Sequence, residues 1–344
     1  MQRDTSLDLV KAVAILSVVL IHSVDTAIVL VSKFPTGSPA WFLYQTARAL
    51  GRIGVPLFFM TSGALLLGQN SGTLDFYKKR LPQFVFLLFF VPAVYFVFAK
   101  VALGWDTNYQ PLKVLTGHTG HAYQLWYLYA IIGLYLITPA LRVLIQSGRN
   151  DVLVTLSIIP ILVTFIPNAL RLLGATDFRL PNMALEFTGA YFWFFWVGYV
   201  IYHKAPLKKV SMPVLALSLV LSLFVWIYAQ YCATTRFGDE RGALMWYTNI
   251  FCVVPSIVTF ELVRRLKLYS KAINALSFAS FSIFLWHLLP IFSFNTLINN
   301  NHIKLTGIRP FVAYSSIMIL IGLIFGLFVY YVFRKVPYVR KLVA

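Results

Sequence analysis

Long apolar runs, broken by short polar or basic stretches, organise the whole chain. Ten of them, near residues 7–31, 44–68, 83–103, 123–145, 152–169, 184–203, 211–232, 244–262, 273–297 and 310–333, are long enough to cross a bilayer as helices. An even number of spans puts both termini on one side, and basic residues choose the side, because short cytoplasmic loops retain Lys and Arg. With cytoplasmic termini, that side carries Lys78-Lys79-Arg80, Arg142, Arg149, Lys204, Lys208, Lys209 and the cluster from Arg264 to Lys271, while the opposite loop at 298–309 is sparse. The pattern predicts an all-α polytopic membrane protein of about ten transmembrane helices, both termini cytoplasmic, forming a single membrane domain over residues 1–344.

Six prolines, Pro56, Pro92, Pro139, Pro160, Pro255 and Pro290, fall inside predicted spans. Each removes a backbone donor and is expected to kink or break its helix, which membrane proteins tolerate where irregular backbone lines a cavity. The fifth and seventh spans carry no charge and are expected to serve as scaffold. Loops are short except at about 104–122 and 170–183. The first apolar run is too long for a signal-peptide core and no small-residue cleavage site follows it, so it is expected to be retained as a span.

Composition agrees: 59% of residues are hydrophobic and 12% charged, too apolar for a soluble protein of 344 residues. A net charge of +18 would point to nucleic acid in a soluble domain. Here it is read as the positive-inside bias, with no nucleic-acid partner. The two cysteines, Cys232 and Cys252, are too few for a disulfide framework or a metal centre and are read as small packing residues.

Against this apolar background the ionisable residues stand out, since each costs about 2.5–3.5 kcal/mol at the centre of a membrane helix. Lys11 and His22 in the first run are three turns apart on one helical face, roughly 16 Å along the axis, and Asp8 and Asp25 extend the stripe toward a protein interior. His22 is the leading candidate for proton transfer, having a side chain that titrates near neutrality, and Asp25 one turn on can orient its ring. Arg48 and Arg52, four apart, share a face in the second span. They either grip an anion with forked donors or snorkel to the interface. Gly51, Gly54, Ser62 and Gly63 around them permit close helix packing.

Weaker candidates follow. His118 and His121 resemble a metal pair, but no third ligand lies nearby in sequence, so a polar lining role for His121, with Trp126 as an interface anchor, is favoured over zinc. Glu186 opens the sixth span and either transfers protons or pairs with an arginine. Ser280 and His287, seven apart in the ninth span, share a face and either pack helices or point into the cavity that His22 faces. No Ser-His-Asp elbow, phosphate-binding loop, dinucleotide loop or metal-helix motif occurs, which removes soluble-type hydrolases and nucleotide-driven pumps. A transporter or flippase shares kinked helices and intramembrane charge with a membrane enzyme, and differs in leaving its substrate chemically unchanged.

Leu7-Asp8, Lys11 and His22 resemble the first-helix signature of acyltransferase family 3, bacterial inner-membrane proteins that O-acylate carbohydrates. Lys11 stands where arginine is more usual in that family. Arg48 and Arg52 before Val55-Pro56-Leu57-Phe58-Phe59-Met60-Thr61-Ser62-Gly63 are similar to its paired arginines and Val-Pro-Phe-Phe-Ser-Gly-like segment. Trp126-Tyr127-Leu128 with Tyr135, and Ser280 with His287, match looser later signatures. The resemblance implies transfer of an acetyl (acyl) group from acyl-CoA to a sugar hydroxyl of a lipid-linked or surface glycan, amid membrane lipids. Acetyl-CoA is then a co-substrate, and no tightly bound cofactor is expected. His22, Arg52 and Asp25 would be catalytic, and Lys11, Asp8, Arg48, Trp126, His121, Glu186, Ser280 and His287 would bind donor or acceptor. CoA is polyanionic and cytosolic, so Lys11, Arg80, Arg142 and Arg149 on the basic face are candidates to meet its nucleotide. No hydrolase-like domain follows the last span, and the membrane unit is expected to act alone or with a separate partner.

Overall fold

The computed structural model describes residues 5–31, 33–172, 189–238, 242–303 and 306–336, and every regular element among them is helical. Helix α1 (Thr5–Val31) is unbroken, whereas α2 (Pro39–Arg52) and α3 (Gly54–Leu66) are one span interrupted at Ile53. After α4 (Thr73–Val101), a loop holding the single turn α5 (Pro111–Val114) leads to α6 (Trp126–Gln146). A π-helical turn at Ile161–Phe165 joins α7 (Asn150–Pro160) to α8 (Ile166–Leu172), and another at Val200–Lys204 ends α9 (Ala190–Tyr199). The remaining helices are α10 (Met212–Phe237), α11 (Ile250–Leu266), α12 (Lys271–Trp286), α13 (Leu288–Asn300) and α14 (Ile308–Phe333).

Among the described residues, 8 helical stretches are long and apolar enough to cross a membrane, and the bent pair α12 and α13, which meet at 51°, makes up to 9. The count expected from sequence was ten. The difference lies in the run at 184–203, of which only the part from Gly189 onward is described, too short a stretch to count as a span.

The proline expectation divides in two. Pro56 lacks the N–H that an uninterrupted helix would return to the carbonyl of Arg52, and the chain breaks at Ile53; Pro290 does the same to Trp286, and the chain breaks at His287. Pro92, Pro139 and Pro255 sit inside continuous helices. Beside Pro160 the ladder slips into the π turn, and the Trp193 indole donates to the Ser157 carbonyl at 2.7 Å.

The described residues cluster into two compact units, each assembled from three chain segments. One takes those within Met1–Val24, Lys33–Gln69 and Leu141–Ser277, the other those within Asp25–Ser32, Asn70–Ala140 and Phe278–Ala344. In the first, α9 is apolar on all sides and buried at every position from Ala190 to Tyr199 except the half-buried Tyr191. It lies against α3 so closely that a Cβ added at Gly63 would meet the Phe195 carbonyl oxygen at 1.7 Å, and one at Gly198 the Met60 carbonyl oxygen at 2.1 Å. By contrast α10 exposes Leu217, Leu221, Phe224 and Tyr228, the apolar surface of a helix that faces lipid. Near the end of α11 Glu261, fully buried, holds both Arg264 and Arg265, and Arg265 also donates to the carbonyls of Val210 and Leu207, tying the turn after α9 to α11.

In the second unit the bend at His287 leaves the Leu285 carbonyl pointing at side chains: Tyr95 Oη donates to it at 2.8 Å and Gln124 Nε2 at 3.0 Å. Gly326 of α14 presses on Ile283, where an added Cβ would lie 2.5 Å from its Cα.

Close approach at Gly63 makes a falsifiable claim about packing. Gly63→Ala should destabilise the purified protein by about 1–3 kcal/mol, the scale of an overpacked core. Gly133→Ala in α6, where an added Cβ meets nothing within 4 Å, should be neutral or slightly stabilising. Thermal melts of both variants in detergent check this; a Gly63→Ala protein that melts with Gly133→Ala would contradict the backbone contact.

Candidate active site

Two glycines bring α1 against the α2–α3 break. A Cβ at Gly51 would lie 2.7 Å from the Cβ of Ile21, and one at Gly54 would lie 2.6 Å from the Ala14 carbonyl oxygen. The helices therefore run antiparallel in backbone contact, with His22 beside the Ile21 crossing point and Arg52 beside Gly51. His22 and Lys11 are half-buried, as is Asp25, so these members of the stripe keep partial access, and on the same helix Leu16 and Val29 are exposed. Asp8 is buried and accepts a hydrogen bond from Ser277 Oγ at 2.8 Å, which fixes the start of α1 to α12.

Both arginines are buried, Arg48 at 6% and Arg52 at 8% exposure, which rules out snorkelling to the interface. Arg48 donates through Nη1 to Gln45 Oε1 at 3.2 Å and lies 5.3 Å from the Tyr44 ring centre. Its guanidinium also rests on Gly242, where an added Cβ would come within 2.2 Å of Nη1; that glycine has φ +68, so its lack of a side chain serves both the turn and the arginine. Arg52 stacks 4.3 Å over the Trp246 ring and 5.6 Å from the centre of Tyr247, with Nη1 3.5 Å from the Tyr247 hydroxyl. Tyr191 of α9 closes the group, its ring 6.1 Å from that of Tyr247.

The loop that supplies Gly242, Trp246 and Tyr247 is pinned by three side chains. Trp226 Nε1 donates to the Leu244 carbonyl at 2.8 Å, Asn249 Nδ2 to that of Ala243 at 3.0 Å, and Asn168 Nδ2 to that of Thr248 at 3.2 Å. Gln45, Gly242, Trp246 and Tyr247 are neighbours of the arginine pair that the sequence did not single out. Trp246-Tyr247 at the mouth of an apolar run reads as an interface belt, and nothing in linear spacing links it to an arginine about two hundred residues away.

The other sequence candidates lie elsewhere. Arg142 is buried and donates through Nε to the Leu66 carbonyl at 2.9 Å, capping α3, and Arg149 is exposed and paired with Asp151. Glu186 lies outside the described residues. In the second unit His287 occupies the break between α12 and α13, buried, with Nδ1 2.8 Å from the Ile283 carbonyl and 3.0 Å from that of Phe284. Two carbonyls at Nδ1 require the proton there, which leaves Nε2 as the acceptor. Ser280 is buried about two turns before it, and Trp126 is half-buried with its ring against Tyr127. His121 packs against Trp105, ring centres 4.9 Å apart and planes tilted by 57°, and burial lowers its pKa from the ordinary histidine value, so the ring is neutral near pH 7. It lines a cleft with His118, and no group of three or more metal-ligating side chains is found among the described residues.

A half-buried imidazole on α1 and two buried guanidinium groups on α2, next to the residues at which the two helices touch, offer a proton acceptor and donors for a developing negative charge. Residues 4–330 match the family model described as the acyltransferase domain of acyltransferase family 3, a match that runs through both units. No curated protein and no solved structure matches the chain. A family match over nearly the entire length settles class and reaction type together: the chain belongs to acyltransferase family 3 and is a membrane acyltransferase.

Proposed function

We propose that the protein moves an acetyl group from acetyl-CoA to a sugar hydroxyl of a lipid-linked or cell-surface glycan, in a bacterial inner membrane that it crosses ten times with both termini in the cytoplasm. The observation that carries this reading is the backbone contact of α1 with α2 at Gly51, which sets His22 and Arg52 at one helix crossing. His22 accepts the proton of the sugar hydroxyl as its oxygen attacks the thioester carbonyl. Arg52 and Arg48 hold the tetrahedral oxyanion with in-plane N–H donors. The C–S bond then breaks, and the imidazolium returns its proton to the leaving CoA thiolate, so the side chain ends as it began. Asp25, at the spacing of one turn, orients the imidazole. Lys11 lies nearer the cytoplasmic end of the same helix and meets the donor. Nothing in the arrangement singles out a Ser or Cys nucleophile, so direct transfer is the simpler course.

Three outcomes test the reading. His22→Ala in nanodiscs should lose about 100-fold or more of the acetyl transferred from labelled acetyl-CoA, with unchanged membrane level, since general-base contributions are of that order. A well-folded His22→Ala protein with near-parental transfer removes the assignment, and substrate moved across the bilayer without consumption of acetyl-CoA would replace it with transport.

Arg52→Lys keeps the charge but loses the planar fork and the stacking on Trp246, and should lose about 10–1000-fold in rate. Gly242→Ala should impair transfer as well, by displacing Arg48, although it touches no substrate. Parental kcat in both variants would return the arginines to a structural role.

In a Cys232→Ser background, a cysteine at Lys78 should react with an impermeant maleimide only from the cytoplasmic side and one at Asn300 only from outside; both positions are exposed. The reverse pattern inverts the topology and the donor path.

A further inference from the structure

The loop between α4 and α6 is long, yet it is built rather than slack. The Trp105 N–H returns to the Ala99 carbonyl at 3.0 Å, Tyr109 Oη donates to that of Phe89 at 3.0 Å, Tyr129 Oη donates to that of Val114, and His118 N–H reaches the Lys113 carbonyl at 3.1 Å. Gly117 and Gly120 turn the chain at φ +88 and +56. A loop of this length with its own tethers is commonly a binding element. It encloses a cleft of about 620 Å³ within the second unit, the size of a small-ligand pocket.

The lining decides the ligand class. It carries one carboxylate, Asp106, and one ammonium, Lys113, so the fixed charges cancel and a polyphosphate such as CoA finds no cluster of cations. Around them stand amides and hydroxyls, among them Asn108, Gln110 and Thr119, which offer donors and acceptors side by side, as vicinal hydroxyls require. Thr116 Oγ1 donates its single proton to the Lys113 carbonyl at 2.9 Å, so its 3.1 Å contact with His118 Nδ1 must be accepted from the ring, and His118 Nε2 is left as an acceptor. Tyr123 lines the cleft with its ring exposed at 43%, and behind it the rings of His121, Trp105 and Phe292 pack together. An exposed aromatic face beside planar polar side chains suits the apolar C–H face and the hydroxyl rim of a pyranose.

We propose that this cleft is a saccharide-binding site that takes an uncharged pyranose, with the sugar ring on Tyr123 and its hydroxyls held by Asp106, Asn108 and Gln110. That the sugar is the acyl acceptor rests on the acyl-transfer reading above; the place and charge of the site rest on the cleft alone. The neutral ring of His121 fits an uncharged guest.

The test is saturation-transfer NMR on the full chain in nanodiscs with methyl α-glucoside, methyl α-galactoside, methyl α-mannoside and N-acetylglucosamine. At least one should bind, CoA should not compete for it, and Asp106→Asn and Tyr123→Ala should each weaken it by about tenfold or more. Tyr123→Phe should retain binding, which separates loss of the ring from loss of the fold. Failure of every sugar to bind, competition by CoA, or parental affinity in both weakened variants overturns the site. Sugar binding that depends on Asp106 and Tyr123 in a protein that turns over no acetyl-CoA keeps the site and removes the acyl-transfer reading. Acetyl transfer by a protein whose sugar binding ignores both variants keeps the reaction and removes the site.

Discussion

A guanidinium at membrane depth has to be solvated by the protein, and that requirement shapes the first unit. Arg48 and Arg52 cannot shed their protons to lower the cost, so their surroundings must supply what water would. Gln45 gives a carbonyl oxygen, Tyr44, Trp246 and Tyr247 give ring faces, and Gly242 gives room against bare backbone. The demand then spreads outward. The loop bearing Gly242 and Trp246 must itself be fixed, which the Trp226, Asn249 and Asn168 side chains do by holding its carbonyls. α1 must approach α2 at backbone distance for His22 to share the crossing, which Gly51 and Gly54 permit.

Two proline-linked breaks follow a common logic. At Pro56 and at Pro290 the missing N–H interrupts the ladder, and the candidate side chain sits at or beside the interruption: Arg52 ends α2, and His287 stands between α12 and α13. A break costs backbone hydrogen bonds in a medium without water, so the freed carbonyls need other donors. At the second break Tyr95 and Gln124 supply them to Leu285, and His287 turns its own Nδ1–H onto the preceding turn. Pro92, Pro139 and Pro255 stay inside continuous helices, so proline alone marks a possible break, and the polar residue beside it marks a used one.

Much of this was legible in the sequence because membrane helices announce themselves by length and by the rarity of charge. The stripe Asp8, Lys11, His22 and the pair Arg48, Arg52 stood out for that reason, and all five lie in the first unit. What was not legible depended on distance along the chain. Asp8 meets Ser277, Arg52 meets Trp246, and Arg48 rests on Gly242, each across roughly two hundred residues or more, where no periodicity connects the partners. Arg142 has a contact that its sequence position does not announce: its Nε caps the Leu66 carbonyl, 76 residues earlier in the chain. The cleft of the long loop was hidden too, since its residues look like an ordinary polar connection until the turns at Gly117 and Gly120 fold them over it.

The stacking of Arg52 also constrains how it can act. The Trp246 ring lies against the guanidinium, and the N–H donors point outward in the group's own plane. Packing energy is thus taken from the face while hydrogen-bonding capacity is kept at the edge, and the edge is held in a fixed direction before any substrate arrives. An oxyanion that forms at that edge meets donors that need no reorganisation, which is where electrostatic stabilisation is largest in a water-poor site. A lysine has no face to stack and no plane to fix, so its ammonium would have to be oriented by the charge it is meant to stabilise. The same charge at the same position is therefore a poorer catalyst, because what the arginine contributes is direction settled in advance.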